Sequence, residues 1–299
     1  MYHHVSMACD FCTMYVRANA GFGQSAIGLR YRTSSYDWSS VNATSLAKQK
    51  RHGGSHGDAP PDNLREFYGS YSLWGRWAPS SRWQLTGTLR FGDNYEAEGD
   101  NKTYQVTGVG DLMVTAHYIP IRTAPGDTTT WKHALAVGGG VKLPTGVYQE
   151  ESGEGDFDPL LQPGTGSVDV LFNALYLIRY NKWGWQTDVT YRRNTANGND
   201  FRFSHRFNAT GLLLYQLRWK KMVFTPSVGC YYEQAENDNN GDVPLLNTGG
   251  KVLFSQTGLE VQYSHFSVGA GWQAPLYENL YGTQGNNESR LTVELNYLF

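Results

Sequence analysis

The 299-residue sequence lacks a long hydrophobic run. No stretch approaches the roughly 18–20 consecutive apolar residues that a membrane-spanning helix needs, and the mean hydropathy is −0.50. These two observations exclude a helical membrane protein. Strong charge is also lacking, because the net charge is only −2. A nucleic-acid-binding surface would need a basic excess, so we expect no nucleic-acid partner.

The first residues, MYHHVSMACDFC, lack the basic stretch and apolar core of a secretory signal. Either the protein is cytoplasmic, or this sequence is the mature form of an exported protein. The strand pattern described below favours the mature form.

Aromatic residues and glycine are abundant. Aromatics make up 14% of the chain, with 20 Tyr and 9 Trp, and there are 34 Gly, although only 40% of residues are hydrophobic. This combination fits a β-sheet wall that is one strand thick and whose inner side faces water. It also fits a large soluble β-protein, so the pattern along the chain has to decide.

Apolar and polar residues alternate in the last eleven residues, SRLTVELNYLF (289–299). A period of two is the pattern of a β-strand. One face is wholly apolar and ends on Tyr297 and Phe299, whereas the other is mostly polar. The alternation recurs in residues 166–182 and 208–219, whose polar faces carry arginines or carboxylates. A dry core between two sheets would not tolerate these charges unpaired, but a watery lumen would.

About twelve alternating segments follow one another, and many exceed the roughly 9–11 residues that a strand needs to cross a bilayer. They lie near residues 25–38, 64–79, 83–97, 103–123, 131–145, 166–182, 183–197, 201–221, 222–236, 249–265, 266–279 and 289–299. Very short connections alternate with longer polar ones, which is the layout of an outer-membrane barrel.

The sequence therefore predicts an all-β fold, a transmembrane antiparallel up-and-down β-barrel of about 12 strands over residues 25–299. Residues 1–24 would form a short N-terminal periplasmic segment or small plug. We expect the barrel in the outer membrane of a Gram-negative bacterium, in contact with its lipid, with both termini periplasmic and the long loops outside. An even strand number lets the last strand close against the first and leaves no edge.

Six of the tryptophans fall at or next to the ends of segments that meet in short turns, which predicts an interfacial aromatic belt. They are Trp77, Trp83, Trp131, Trp183, Trp185 and Trp219. Tyr297 and Phe299 would belong to the same belt. They also resemble the C-terminal aromatic signal that the barrel-assembly machinery of Gram-negative outer membranes recognises.

Three stretches carry a family resemblance: GVGDLMVTAHY (108–118), GGGVKLPTG (138–146) and LQPGTGSVDVLFNALY (161–176). In this order and spacing they resemble the outer-membrane transporter-like barrels of phenol meta-cleavage pathways, which are distantly similar to long-chain fatty-acid transporters. The opening CDFC with SAIGLRYR is similar to members from Bacteroidota-type bacteria. The resemblance implies an outer-membrane pore for small organic or hydrophobic compounds. The fatty-acid transporters have a longer N-terminal hatch and more strands.

The N-terminal segment contains His3, His4, Met7, Cys9 and Cys12, which are soft ligands suited to copper(I) or zinc. The chain has only 3 Cys, and a single Cys-x-x-Cys in an oxidising compartment also fits a disulfide. Inert thiols, metal binding, and partner docking or lipid anchoring remain as further alternatives. Apart from such a metal, we expect no cofactor.

Charged residues at inward positions of the alternation would line the lumen. They are Arg30, Arg32, Arg76, Arg90, Asp111, His117, Lys142, Asp169, Arg179, Asp188, Arg192, Arg218, Glu260 and Glu294. Their mixed signs predict cross-strand ion pairs that fill or narrow the lumen. Alternatively, they form a selectivity lining for a polar or anionic solute.

The function predicted from the sequence is a passive channel or uptake porin for a small organic or hydrophobic solute. The loop 146–165 is the candidate for a constriction or lid. An enzyme is not expected. His265 lies at a short turn, on the wrong side for catalysis near the outer rim, and His205 has no serine nucleophile in a suitable context. The alternative is a structural or docking barrel of a larger envelope complex, with residues 1–24 holding a partner.

Overall fold

The computed structural model describes residues 22–38, 64–124, 128–148 and 159–299, and the regular elements in these ranges are β-strands. Twelve long strands form the wall: β1 (Ala26–Asp37), β2 (Leu64–Ser80), β3 (Trp83–Glu98), β4 (Asn101–Val109 and Leu112–Arg122), β5 (Trp131–Leu143), β6 (Asp169–Tyr180), β7 (Trp183–Arg193), β8 (Arg206–Tyr215 and Leu217–Trp219), β9 (Met222–Ala235), β10 (Gly250–Tyr263), β11 (Phe266–Leu280) and β12 (Arg290–Leu298). Among the described residues, no helix has the length and apolar character needed to span a membrane.

Each strand pairs antiparallel with the next, and the sheet closes on itself. At the seam β12 pairs with β1, with Ala26 opposite Leu298 and Thr33 opposite Leu291. Closure leaves no unpaired strand edge in the wall, as a spanning sheet requires. The predicted antiparallel transmembrane barrel of twelve strands is confirmed.

The two faces of the wall differ as the alternation predicts. Along β12, the outward side chains from Leu291 to Phe299 are 39–63% exposed, whereas the inward ones from Arg290 to Leu298 are 1–6% exposed. An outward apolar face that remains exposed in the isolated chain is the surface that hydrocarbon covers.

One end of the barrel, the short-turn end, carries three two-residue turns whose first residue has positive φ. These residues are Asn181, Lys220 and Ser264, with φ of 52–55°. Turns of this kind match the right-handed twist of the flanking strands. The fourth two-residue turn at this end joins Ser80 to Trp83.

The connections depart from the predicted layout in two places. The fifth connection at the short-turn end spans residues 123–130, and β3 joins β4 through a two-residue turn at the opposite, long-loop end, where Gly99 has a φ of 60°. The predicted segment 103–123 is also interrupted, because Gly110 N donates to Arg90 O at 2.7 Å and leaves the ladder.

The remaining short strands lie at the long-loop end. Phe201–Arg202, Asn239–Asn240 and Val243–Pro244 form a separate three-stranded sheet, and Asn286–Asn287 extends the pairing of β1. The predicted segment 201–221 was therefore too long, since β8 itself begins at Arg206.

An aromatic girdle surrounds the short-turn end. All six tryptophans of the predicted belt are exposed on the outer wall. Cross-strand aromatic pairs link it: Trp83 with Tyr118 at 5.1 Å, Trp131 with Tyr180 at 4.7 Å, and Trp183 with Tyr215 at 4.6 Å between ring centroids. Tyr297 stacks with Phe299 at 6.1 Å and continues the girdle across the seam.

Candidate functional site

The fourteen charged residues predicted to line the lumen lie on the inner side of the wall. Arg30, Arg32, Arg76, His117, Lys142, Asp169, Asp188, Arg192, Glu260 and Glu294 are buried there. Arg90, Asp111 and Arg179 are partly buried, and Arg218 is exposed to a cavity at the short-turn end. The structure does not gather them into one site but distributes them over several networks.

The seam of the barrel is held by a buried ion pair inside the lumen. Arg30 and Glu294 are opposite each other in the ladder of β1 and β12. Nε and Nη2 of Arg30 both donate to Glu294 Oε2, at 3.2 and 3.1 Å. Residues that are far apart in sequence are thus joined where the barrel closes.

A second network is centred on Lys142, near the long-loop end of β5. Lys142 Nζ lies 2.7 Å from Asp111 Oδ2 and 2.8 Å from Asp169 Oδ2. It also donates to Thr165 Oγ1, and Ser167 Oγ donates to Asp169 at 3.0 Å. One buried ammonium is thereby shared by two carboxylates, which is the pairing that buried charges require.

The Lys142 network contains residues from all three stretches that carry the family resemblance. Asp111 accepts hydrogen bonds from Gly146 N and Thr165 N, both at 3.0 Å. The backbones approach so closely that a Cβ on Gly146 would lie 2.7 Å from the carbonyl carbon of Gly110. A Cβ on Gly164 would lie 2.8 Å from Gly146 C. The glycines of the three motifs are therefore needed for close packing.

The end of the loop that precedes β6 folds into the lumen. Asn94 Nδ2 donates to Leu161 O at 2.8 Å, and Leu161 is buried in a cluster with Tyr36, Tyr68 and Val106. Residues 159–167 form what we call the lumenal loop. A cavity of ≈80 Å³ remains beside it. Residues 149–158 of the same loop lie outside the described residues.

A third network was missed by the sequence analysis. Arg290 Nη1 donates to Glu233 Oε2 at 2.9 Å, and both side chains are at most 1% exposed. Tyr231 Oη donates to the same carboxylate at 3.0 Å, Arg290 Nη2 lies 3.4 Å from Tyr36 Oη, and the guanidinium lies 4.1 Å from the centre of the Phe254 ring. The signal was available, because Arg290 and Glu233 occupy inward positions of their strands.

His117 and Asp188 belong to a fourth buried network, on the inner face between β4 and β7. His117 Nε2 lies 3.0 Å from Asn173 Oδ1, and Asn173 Nδ2 donates to Asp188 Oδ2 at 3.0 Å and to Thr190 Oγ1 at 2.8 Å. These contacts satisfy polar groups across neighbouring strands.

A cavity of ≈690 Å³ opens at the short-turn end, and we call it the basic vestibule. Four of its twelve lining residues are cations, namely Lys132, Arg179, Arg218 and Lys221. Seven others are neutral polar residues, and one is Val223. Among the described residues that line it, none is an aspartate or a glutamate.

Two apolar clusters lie in the lumen next to the basic vestibule. One cluster joins Ile119, Ala136 and Leu175 with Phe22, and another joins Leu212 and Leu214 with Leu177. These seven side chains form what we call the apolar layer. Phe22 enters the lumen from the N-terminal side, and Gln24 O behind it accepts a hydrogen bond from Arg76 Nε at 2.8 Å.

The two candidate catalytic histidines contact no serine hydroxyl in the described part of the chain. His205 Nδ1 accepts from Asn194 N at 3.2 Å, and its Nε2 lies 3.2 Å from Arg202. Burial lowers the pKa of His205, and the neighbouring Arg202 guanidinium lowers this pKa further. His265 Nδ1 lies 2.9 Å from Leu298 O in the short-turn end.

The predicted metal ligands His3, His4, Met7, Cys9 and Cys12 lie outside the described residues. Within residues 22–38, 64–124, 128–148 and 159–299, no group of three or more His, Cys, Asp or Glu side chains could hold a metal ion. Cys230 is a free thiol on the outer face of β9.

The three motifs and the barrel agree with a comparison against known families. The sequence model of the family described as "Putative MetA-pathway of phenol degradation" matches residues 64–274, which is more than half of the chain. The chain belongs to this family. No curated protein sequence matches it.

Solved structures agree on the fold of this phenol-degradation family member. An outer membrane channel from Pseudomonas putida F1 has a TM-score of 0.66 and 15% identity, with coverage of 95% of this chain and 99% of the channel. The β-domain of the Bordetella autotransporter BrkA has a TM-score of 0.52 and 8% identity, with coverage of 92% and 99%. At these identities the similarity concerns the fold, a barrel of the outer-membrane type.

Proposed function

We propose that the protein is a passive channel of a Gram-negative outer membrane, which takes up a small organic solute without a cofactor and without catalysis. The observation that carries this proposal is the closed wall with an apolar outer face and a lumen that opens into a cavity of ≈690 Å³. Membership of a family named for phenol degradation and the fold of an outer membrane channel support it.

The lumenal loop would act as the constriction. It is anchored to Lys142 and to Asn94, and it lies between the long-loop end and the apolar layer. Charged side chains at this level, such as Arg90, Arg192 and Arg206 beside the small cavity, would form the selectivity lining.

Conductance across planar bilayers tests the proposal. Purified full-length protein should give discrete conductance steps, and proteoliposomes should take up a small aromatic solute faster than empty liposomes. Absence of both conductance and solute flux would contradict the channel function and leave the fold untouched.

A thiol-blocking experiment tests whether the current passes through the lumen. A Gln262→Cys variant, made with Cys9→Ser, Cys12→Ser and Cys230→Ala, should lose conductance with a bulky methanethiosulfonate reagent, because Gln262 lines the basic vestibule. The matched control keeps only the outward-facing Cys230 and should be unaffected. Equal block of both proteins would contradict a lumenal path.

The second candidate is a structural or docking barrel in an envelope complex. Burial of the networks and of the apolar layer within the lumen favours it, since a filled lumen would pass no solute. It predicts no conductance together with co-purification of a partner, which should be lost when residues 1–21 are deleted. The channel function predicts instead that conductance is observed.

We further propose that the short turns and both termini face the periplasm, and that Tyr297 and Phe299 are read by the barrel-assembly machinery. Both aromatics are exposed in the girdle at the end that bears the short turns, and such turns are periplasmic in barrels of this type. A Phe299→Ala variant should reach the outer membrane in smaller amounts than the matched Phe172→Ala variant of the outer wall. Equal amounts of the two variants would contradict the signal.

A further inference from the structure

We infer that the basic vestibule binds a small organic anion, a carboxylate carried on an apolar body such as one aromatic ring. The inference rests on the proposed channel function and names the class of solute that it would carry. The neutral hydrocarbons suggested by a pore for hydrophobic compounds would make no use of the charges at this end.

The charge of the basic vestibule is one-sided. Lys132, Arg179, Arg218 and Lys221 line it, and no carboxylate is among the described lining residues. Among the described residues, the carboxylate of Glu260 follows Gln262 inward on β10, interacts electrostatically with Arg179 and is 4% exposed. It offsets one of the four cations, and the described lining itself keeps a positive excess. A concave site of one sign concentrates ions of the opposite sign.

The order of residues along the strands places an apolar surface next to this charge. On two strands, a cation at the short-turn end is followed on the inner face directly by two apolar side chains, and on a third strand one polar side chain lies between them. The residues are Lys132, Ala134 and Ala136 on β5, Arg179, Leu177 and Leu175 on β6, and Arg218, then Gln216, then Leu214 and Leu212 on β8. The order gives the cavity a basic rim and a mainly apolar floor, which also contains Gln186 opposite Leu177 and Leu212 in the ladder.

This arrangement matches an amphiphilic anion better than other solutes. Guanidinium and ammonium groups donate charge-assisted hydrogen bonds to a carboxylate, and an apolar body gains by leaving water against the apolar layer. An inorganic anion would contact only the cations of the rim. A neutral aromatic compound would contact only the apolar side chains of the floor. The volume of ≈690 Å³ lies in the usual range for sites that hold small organic molecules.

Equilibrium dialysis of the full-length protein in detergent, with labelled benzoate as the probe, tests the inference. We expect saturable binding of benzoate, with benzyl alcohol and inorganic phosphate each binding about tenfold more weakly. The Arg218→Gln/Lys221→Gln variant should bind benzoate at least about tenfold more weakly than the wild type. Heat-modifiable migration in gels verifies that each variant is folded.

The matched control is the Lys182→Gln/Lys220→Gln variant, which removes two charges from turns at the same end but outside the cavity lining. It should bind benzoate within about twofold of the wild type. Absence of benzoate binding, equal binding of benzyl alcohol or phosphate, or equal loss in both variants would overturn the inference. Binding needs no ion flow, so its outcome is separate from the conductance test of the channel function.

Discussion

The two halves of the lumen differ in how their charges are used. Towards the long-loop end, charges are paired and buried: Arg290 with Glu233, and Lys142 with Asp111 and Asp169. Towards the short-turn end, cations line an open cavity with no lining carboxylate among the described residues. Buried ion pairs add rigidity, whereas cations that face an open cavity can contact a ligand. The first half therefore holds the barrel and its lumenal loop together, and the second matches the solute site that we propose.

The largest expected loss of unfolding free energy comes from the Glu233→Ala variant. This variant leaves the guanidinium of Arg290 buried without its carboxylate, and breaking a buried pair in this way costs about 3–5 kcal/mol. Equilibrium unfolding in urea, followed by tryptophan fluorescence in micelles, measures the change. Arg218→Gln in the basic vestibule serves as the comparison and should cost less than about 0.5 kcal/mol.

A second variant of the same network sharpens the test. Glu233→Ala combined with Arg290→Met removes both charges and should recover most of the lost unfolding free energy, since no unpaired charge remains. Equal destabilisation of the barrel by Glu233→Ala and Arg218→Gln would contradict the difference that we describe between the two halves of the lumen.

The next effect in size is expected from Lys142→Met. Asp111 and Asp169 would then face each other without a cation, at a cost of about 3 kcal/mol in unfolding free energy. Because Thr165 and Ser167 lose the same partner, the lumenal loop should loosen and the single-channel conductance should rise. The control is Lys251→Met on β10, outside the Lys142 network. Unchanged conductance in the Lys142→Met variant would contradict the role of the lumenal loop as the constriction.

The smallest of the three effects is expected at the seam. Glu294→Gln keeps the shape of the side chain but removes the charge that Arg30 contacts, and should cost about 1–2 kcal/mol in unfolding free energy. Glu288→Gln is the matched control, because its pair with Arg65 is exposed and 4.0 Å long, and exposed pairs contribute about 0–1 kcal/mol. A larger loss in the control would show that the seam does not depend on the Arg30 pair.

The architecture of the wall followed from the sequence, because alternation with period two fixes which side chains face outward. The predicted strands at 64–79 and 289–299 and the aromatic belt agree with the structure. The alternation does not specify the register between neighbouring strands, and it is this register that places Arg30 opposite Glu294.

Other features depend on contacts that no local pattern contains. The interruption of β4 at Gly110 requires the backbone of β3, and the inward course of the lumenal loop requires Lys142 and Asn94 from two other strands. The Arg290 network was overlooked although Arg290 and Glu233 lie at inward positions of the predicted segments 289–299 and 222–236, because alternation alone does not show that the two side chains meet. The basic vestibule was missed as a cavity, since its cations come from strands and turns far apart in sequence.

Nitroxide scanning along β12 tests the central claim, an apolar face towards lipid and a polar face towards the lumen. Single cysteines at positions 291–297, in a protein with Cys9, Cys12 and Cys230 replaced, would be labelled and reconstituted in bilayers. We predict that labels at Leu291, Val293, Leu295 and Tyr297 collide preferentially with oxygen dissolved in the lipid, and that labels at Thr292, Glu294 and Asn296 do not. A profile without a period of two, or one with the two faces reversed, would contradict the barrel described here.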